Sequence, residues 1–484
     1  MESNDIRNLQ PSGLWQHFYS ITQVPRPSGQ KKEICEFMMN FGKSLGLETL
    51  QDEIGNVLIR KPASPGYENH EGVILQAHLD MVPQNNNDTP FDFSKDPIQA
   101  YIDGEWVTAR GTTLGADNGI GVAATMAVLA DKNMVHPPLE AFFTVDEETG
   151  MYGAFGLEAN FLKGKILINT DSEDEGELYV GCAGGVDGNI TFRYFETEVP
   201  EGDVAVKITL TGLNGGHSGL NINLQRANAN KLMFRFLKEA VRDYEARLAS
   251  INGGNMRNAI PREAVAIVTV PADGVQDLLD LVDDYETLFV KEYAGVEEKL
   301  SFTAEETELP KGLIPEEMQD DLINAITACP NGPFRYIQDM PDVIETSNNL
   351  SIVKSDGEKI IVSCLTRSSV ESRKEELASM IESVFTLAGA KVEFTGSYPG
   401  WQPNLKSRIL NTMAAVYEKE FGKRPKIMTV HAGLECGILG RNYPEMDMIS
   451  FGPTLRYPHS PDEKVDIASV QKFWDFLVAT LAAL

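Results

Sequence analysis

The stretch "GTTLGADNGIGVAATMAVLADKNMVHPPLEAFFTVDEETG", residues 111–150, decides the architecture. Small and apolar residues from Gly119 to Asn133 predict a helix. Past Pro137-Pro138, the run Leu139–Val145 reads as a buried strand that stops at three carboxylates, Asp146, Glu147 and Glu148. Burying adjacent like charges is costly unless something compensates them. The strand end therefore either opens to water or gathers metal ions. Working outward, 72–82 and 165–171 read as further strands, and Gln30–Leu45 as an amphipathic helix. Strands alternating with helices predict an α/β domain with a mostly parallel sheet.

The pattern changes near residue 188. Residues 204–212 alternate apolar and polar, as a half-exposed strand does. A charged helix is expected over Arg226–Ala249, then a strand at 264–270, a helix over Val275–Tyr293 and a strand at 299–306. A helix over Glu316–Ala328, a strand at 359–368, a helix over Lys374–Leu387 and a strand at 391–396 follow. This is an α+β segment inserted into the α/β domain. The α/β style resumes after the Pro/Gly-rich 396–404, with strands at 426–430 and 446–451 and a final helix striped by Ile467, Val470, Phe473, Leu477 and Leu481. The expected domains are 1–187 with 398–484, and 188–397.

A chain of 484 residues is too long for one compact core. Forty-two basic residues against 71 acidic ones give a net charge of −29, which disfavours nucleic acid and anionic membranes as partners. No apolar run reaches the length of a bilayer span, and the first residues lack the basic and apolar segments of a signal peptide. The five cysteines are scattered without CxxC pairing, which fits a reducing compartment. A cytoplasmic location is the expectation.

Chemistry-bearing residues collect at strand ends and turns. His78 and Asp80 lie two apart, so imidazole and carboxylate share one strand face. Four glycines surround Asp117-Asn118 ahead of a helix. An Asp at the centre of such a turn repels phosphate, which argues against a phosphate loop. One strand ends at Glu147 and Glu148, another at Asp171, and a strand with a Gly-Pro turn leads to His459. Ligands gather outside the carboxyl ends of strands in open α/β sheets. Two imidazoles and three carboxylates suit a pair of zinc-type ions sharing one carboxylate.

The segments "QAHLDMV", "GTTLGADNGIG", "FTVDEETGMYGA", "INTDSEDEGELYVGCAGG" and "HAGLECG" resemble the di-zinc metallopeptidase family that includes aminoacylases, succinyl-diaminopimelate desuccinylase, glutamate carboxypeptidase and carnosinase. The likeness runs through essentially the whole chain and is nearest to the family's broad-specificity dipeptidases. It implies a three-layer α/β/α catalytic domain interrupted by an α+β lid domain through which two copies would dimerise. It implies two divalent metal ions, zinc first, with cobalt or manganese also suited. His78 and Asp171 would hold one ion, Glu148 and His459 the other, and Asp117 both. Asp80 would orient His78, and Glu147 would be the general base and acid. A cis peptide would join Asp117 to Asn118. His217 and Asn258 would meet the substrate, Arg367 its carboxylate and Glu435 its free amino group. The implied activity is hydrolysis of unblocked dipeptides, Xaa-His included. His431 and Glu435, four apart, could also read as a metal pair on one helix, although the five ligands already complete two sites.

Three other readings stand beside this one. An N-acyl amino acid deacylase of the same family would not need Glu435. A non-catalytic metal-binding scaffold would usually lack the base or a ligand, and none is missing. A two-metal phosphoesterase would need a phosphate cradle.

Overall fold

The computed structural model describes residues 5–484. The chain divides into two compact units, the first of Met1–Gly181, Trp401–Thr429 and Leu434–Leu484, the second of Cys182–Gly400 and Val430–Gly433. The strand Gly184–Arg193 lies wholly in the second unit's sheet, so the break falls just before it.

The first unit is built on an eight-stranded sheet in the order 48–51, 57–61, 139–144, 73–78, 166–169, 447–450, 177–182, 426–430. The four central strands, Leu139–Thr144, Val73–His78, Ile166–Asn169 and Asp447–Ser450, run parallel. Antiparallel pairings flank them. Leu139–Thr144 and Val73–His78 are buried at every position. Only a sheet covered on both faces does that, which is why these strands read as unbroken apolar runs rather than alternating ones. The helices Ser12–Thr22, Ala116–Ala130, Arg408–Phe421 and Ile467–Ala483 supply much of the cover, with Trp15, Phe18, Met126, Met413 and Phe473 buried in one core. A small second sheet pairs Leu455–Arg456 with Lys464–Asp466, and the latter with Trp106–Ala109. It frames residues 457–463 as a hairpin loop.

The second unit carries an antiparallel sheet in the order 301–307, 203–211, 264–271, 247–253, 340–356, 359–368, 184–193, 391–398. Strands such as Asp203–Thr211 and Gly184–Arg193 alternate buried and part-exposed residues, because one face packs on the helices Ala229–Asp243, Val275–Glu292, Glu316–Ala328 and Glu371–Leu387. Phe236 sits at the centre of this core, edge-on to Tyr285 and Phe302.

Beyond shorter elements the sequence reading did not assign, such as the strands Val57–Lys61 and Glu177–Cys182, two departures from it are instructive. The helix expected to run to Ala249 ends at Asp243, and Arg247–Gly253 is a strand. Glu245 takes a left-handed backbone (φ 55°) at the joint, a break that the charge pattern hid. The 17-residue strand Met340–Asp356 was not anticipated. Its buried run Thr346-Ser347-Asn348-Asn349 is polar, so neither periodicity nor hydrophobicity marks it. Asn348 and Asn349 satisfy their amides on the carbonyls of Pro330 and Ala259, at 2.7 and 2.8 Å.

Removing an aromatic ring from a packed core costs its transfer energy plus a cavity. Phe236→Ala should lower the stability of the second unit by about 3–5 kcal/mol, read as a fall in its denaturant midpoint.

Candidate active site

The three carboxylates at the end of Leu139–Thr144 separate because the chain turns. Asp146 adopts a left-handed backbone (φ 54°). Its carboxylate points away to accept from Gly29 N (2.8 Å) and to pair with Lys31 Nζ (3.0 Å). The next two amides, of Glu147 and Glu148, both donate to Asp80, at 3.0 and 3.3 Å. Asp80 also accepts from Ser28 Oγ (2.8 Å). Burial works against its charge, but His78, Ser28 and the Glu147 amide together hold Asp80 at about 2. It is therefore a fixed anion. His78 Nδ1 bonds the Asp80 main-chain carbonyl at 3.2 Å, with the Asp80 Oδ1 charge 3.6 Å away, so residue 80 orients the imidazole.

Asp117 lies at the first turn of Ala116–Ala130, with extended backbone and a cis peptide to Asn118. Asn118 Nδ2 donates to Thr170 O at 2.7 Å. The two oxygens of Asp117 face different imidazoles. Oδ1 is 3.1 Å from His78 Nε2, and Oδ2 is 3.1 Å from His459 Nε2. Each nitrogen has a second carboxylate beside it. His78 Nε2 is 3.3 Å from Asp171 Oδ1, and His459 Nε2 is 3.0 Å from Glu148 Oε2. One proton on a ring nitrogen can bond only one of two such oxygens well. Asp171 Oδ1, the oxygen competing for the His78 proton, is accordingly buried without a hydrogen-bond partner, and the other Glu148 oxygen, Oε1, is buried without one as well. A cation would satisfy what a proton cannot. Atoms of His78, Asp117 and Glu148 already lie within 4.8 Å of one another. The donors are imidazole nitrogen and carboxylate oxygen, the set that divalent zinc-type ions accept. The residues therefore fit a metal site.

Glu147 is half-buried and no side chain hydrogen-bonds its carboxylate among the described residues. Burial drives its affinity for protons well up, aided by the charges of Asp171, Glu435 and Glu148 and opposed by His78. A carboxylate so placed is suited to take up and release a proton. Glu435 is buried beside it. Its Oε2 accepts from Gln76 Nε2 (2.6 Å) and Thr144 Oγ1 (2.7 Å), while Oε1 has no partner. Burial raises Glu435 to about 7. His431 does not share its helix. The helix begins at Glu435, and His431 belongs to the second unit, where its Nε2 lies 2.7 Å from Ser347 Oγ. The one-helix metal pair is excluded.

A family model described as "Peptidase family M20/M25/M40" matches residues 74–483. The chain belongs to this peptidase family. The M20 peptidase is 48% identical over 478 residues to the cytosol non-specific dipeptidase of Escherichia coli, covering 99% of each chain. It superposes on the crystal structure of an aminoacylhistidine dipeptidase from Vibrio alginolyticus with a TM-score of 0.95 at 48% identity, covering 100% of this chain and 98% of the other. An aminopeptidase structure from Bacillus cereus shares the fold at a TM-score of 0.57 and 16% identity, covering 98% and 99%.

The second unit of the M20 peptidase holds the remaining expected site residues. His217 and the exposed Asn258 line a cavity of about 760 Å³. His217 Nδ1 accepts from the amides of Gly219 and Leu220, both at 3.1 Å. Burial, with the nearby Arg367 charge, lowers His217 to about 4. Arg367 is buried, donates to Tyr398 Oη at 2.9 Å and leaves Nε without a partner. No carboxylate forms an ion pair with it among the described residues.

The sequence reading missed two buried residues in the first unit, Arg26 and Glu463. Arg26 Nη1 donates to the carbonyls of Leu79 and Asp80 at 3.0 and 3.1 Å, and Nη2 to that of Gly115. Glu463 accepts from four backbone amides of the Asp117 turn. Only the "HSPDE" run, with Glu463 four residues past His459, could have hinted at the second.

The clustered carboxyl groups make a pH prediction for the metal-free protein. Burial raises Asp171 to about 6, Glu173 to about 8 and Glu435 to about 7. Bonds to Asp117 and Glu148 raise His459 to about 11. All these groups bind protons more tightly folded than unfolded. Each contributes stability that is full below its unfolded value and is lost as pH rises through its folded one. Asp80 and Asp117 have the opposite sign but titrate far below this window. The histidines that burial lowers, His217 among them, also have the opposite sign but gain their stability only around the unfolded value at its lower edge, where they offset part of the loss. The apoprotein should melt at a lower temperature at pH 8.5 than at pH 6. Excess zinc should flatten that slope, as thermal unfolding with and without chelator would record.

Proposed function

We propose that this M20 peptidase is a cytoplasmic metallodipeptidase that hydrolyses unblocked dipeptides of broad sequence, Xaa-His dipeptides included. One observation carries the reading: Asp117 offers one oxygen to each of two imidazoles, and each imidazole nitrogen is flanked by a second carboxylate. The 48% identity with a non-specific dipeptidase across nearly the whole chain supports the substrate class.

On this reading His78 and Asp171 hold one divalent ion, Glu148 and His459 the other, and Asp117 both, with zinc the first choice. Two such ions supply Lewis acidity, polarising a peptide carbonyl and making water acidic near neutral pH. Glu147 takes the proton of the attacking water and returns it to the leaving amine. Its raised proton affinity suits both halves of that task. Asp80 keeps the His78 ring oriented. Glu435, with one buried oxygen unpartnered, receives the substrate's ammonium group. Arg367 supplies a planar fork for the substrate carboxylate, and its orphan Nε supports that role. His217 remains neutral near pH 7 and donates a hydrogen bond to the oxyanion as it forms, with Asn258 contacting the substrate. The second unit acts as the lid and as the dimer contact. Its exposed Leu220, Leu224, Met256, Phe334 and Tyr336 support a buried interface in solution. Sedimentation should then return twice the 53.3 kDa chain mass.

A mass-spectrometric assay of the zinc-loaded protein on mixed dipeptides, tripeptides and N-acetyl amino acids tests the reading. Dipeptides alone should be consumed. Glu147→Gln should lower kcat by roughly 10²–10⁴-fold with KM little changed. Glu435→Gln should raise KM for dipeptides. Consumption of the acetylated compounds instead would identify a deacylase. No turnover by folded, metal-loaded protein would leave a metal-binding scaffold.

A further inference from the structure

Glu463 is 1% exposed and Arg26 is 2% exposed. Burying a charge is costly unless it is fully bonded, so each must be held by strong local partners. Glu463 Oε2 accepts from Leu114 N and Gly115 N at 2.8 and 2.9 Å, and Oε1 from Ala116 N and Asp117 N at 2.7 and 3.1 Å. Four consecutive amides converge on one carboxylate, and the last belongs to Asp117 itself. Gly115 makes this possible, because its left-handed backbone (φ 70°) turns successive amides to the same side. On the carbonyl side of the same turn, Arg26 binds Gly115 O and also the carbonyls of Leu79 and Asp80. Burial draws Arg26 down to about 10, which leaves it a cation at neutral pH. Arg26 therefore ties the Asp117 turn to the end of the strand that carries His78 and Asp80. Glu463 ties the same turn to the 457–463 loop that carries His459.

We propose that Glu463 and Arg26 are positioning residues for the two-cation site, fixing Asp117, His78 and His459 relative to one another before any cation binds. This rests on the two-metal reading above. A residue that only stabilised the fold would set the melting temperature and leave the affinity of the folded protein for metal alone. A positioning residue sets that affinity. Because Asp117 serves both ions, losing Glu463 weakens both, and the amide of Gln at 463 would present an NH₂ group to two amides that need an acceptor.

The test is competition of apoprotein with a chromophoric zinc chelator, for wild type, Glu463→Gln, Glu463→Asp and Arg26→Lys, with circular dichroism and thermal melts on each. Wild type should take up two zinc ions. If it takes up none, the two-metal reading fails and the role of Glu463 falls with it. Folded Glu463→Gln should bind zinc at least tenfold more weakly at both sites, with kcat restored by excess zinc and KM for dipeptide unchanged. Glu463→Asp, which keeps the carboxylate, should recover part of that affinity. A folded Glu463→Gln that binds two zinc ions as wild type does, with only its melting temperature lowered, would overturn the proposal. Should Glu463→Gln not fold, Arg26→Lys decides by the same measurement: weaker zinc binding by the folded protein supports the proposal, and unchanged binding overturns it.

Discussion

Uncompensated negative charge around Asp117 is the constraint that organises the first unit. Two imidazole nitrogens each sit between two carboxylates, and buried oxygens of Asp171 and Glu148 are left without partners. Such an arrangement persists only where the backbone holds it rigidly. The surrounding structure does this with bonds that do not consume the ligand atoms. Asp80 gathers the amides of Glu147 and Glu148, and Asp146 turns its own charge away to Lys31. The second carboxylate of that triplet is left half-buried beside the cluster, free to exchange a proton.

Parallel strand direction is what brings distant parts of the sequence to one place. The central strands end at His78, Thr144, Asn169 and Ser450, and in parallel pairing those ends share one edge of the sheet. The segments that follow them then carry Asp80, Glu147, Glu148, Asp171 and, beyond the Gly-Pro turn, His459. Beneath this edge a chain of buried polar groups joins the site to the sheet. Gln76 bridges Glu435 and Asn169, and Asn169 in turn accepts from Ser450 Oγ and from the Asp171 amide. A polar network of this kind, bonded throughout save for Glu435 Oε1, fixes one arrangement of its members at low local dielectric.

The α/β architecture was legible because its strands are buried on both faces and read as apolar runs closed by chemistry-bearing residues. The helix at Glu316–Ala328 and the strand at Lys359–Ser368 have the expected bounds for different reasons, a helical stripe in the first and a largely buried apolar run in the second. The strand Met340–Asp356 was opaque because its interior positions are filled by Thr, Ser and Asn that find partners only in three dimensions. Likewise, His78, Asp80, Asp117 and Glu148 could be singled out because side chains at strand ends and glycine turns announce themselves locally. Glu463 and Arg26 bind backbone amides and carbonyls far from them in sequence, and main-chain partners leave no mark on the residue pattern. The spacing of His431 and Glu435 carries no metal signal for the converse reason: four residues make a helical turn only where a helix exists, and the helix starts at the second of them, in keeping with the expectation that the five ligands already complete two sites.

The 457–463 loop has a consequence for synthesis. It carries both His459 and the carboxylate that seats the Asp117 turn, and it is held by pairing of Lys464–Asp466 with Trp106–Ala109. A nascent chain that has emerged only as far as the inserted unit owns His78, Asp117, Glu148 and Asp171 but not the loop that completes them. The proposed two-cation site is therefore drawn from segments far apart in the sequence, and it has all of its members only once residues 457–463 have been made.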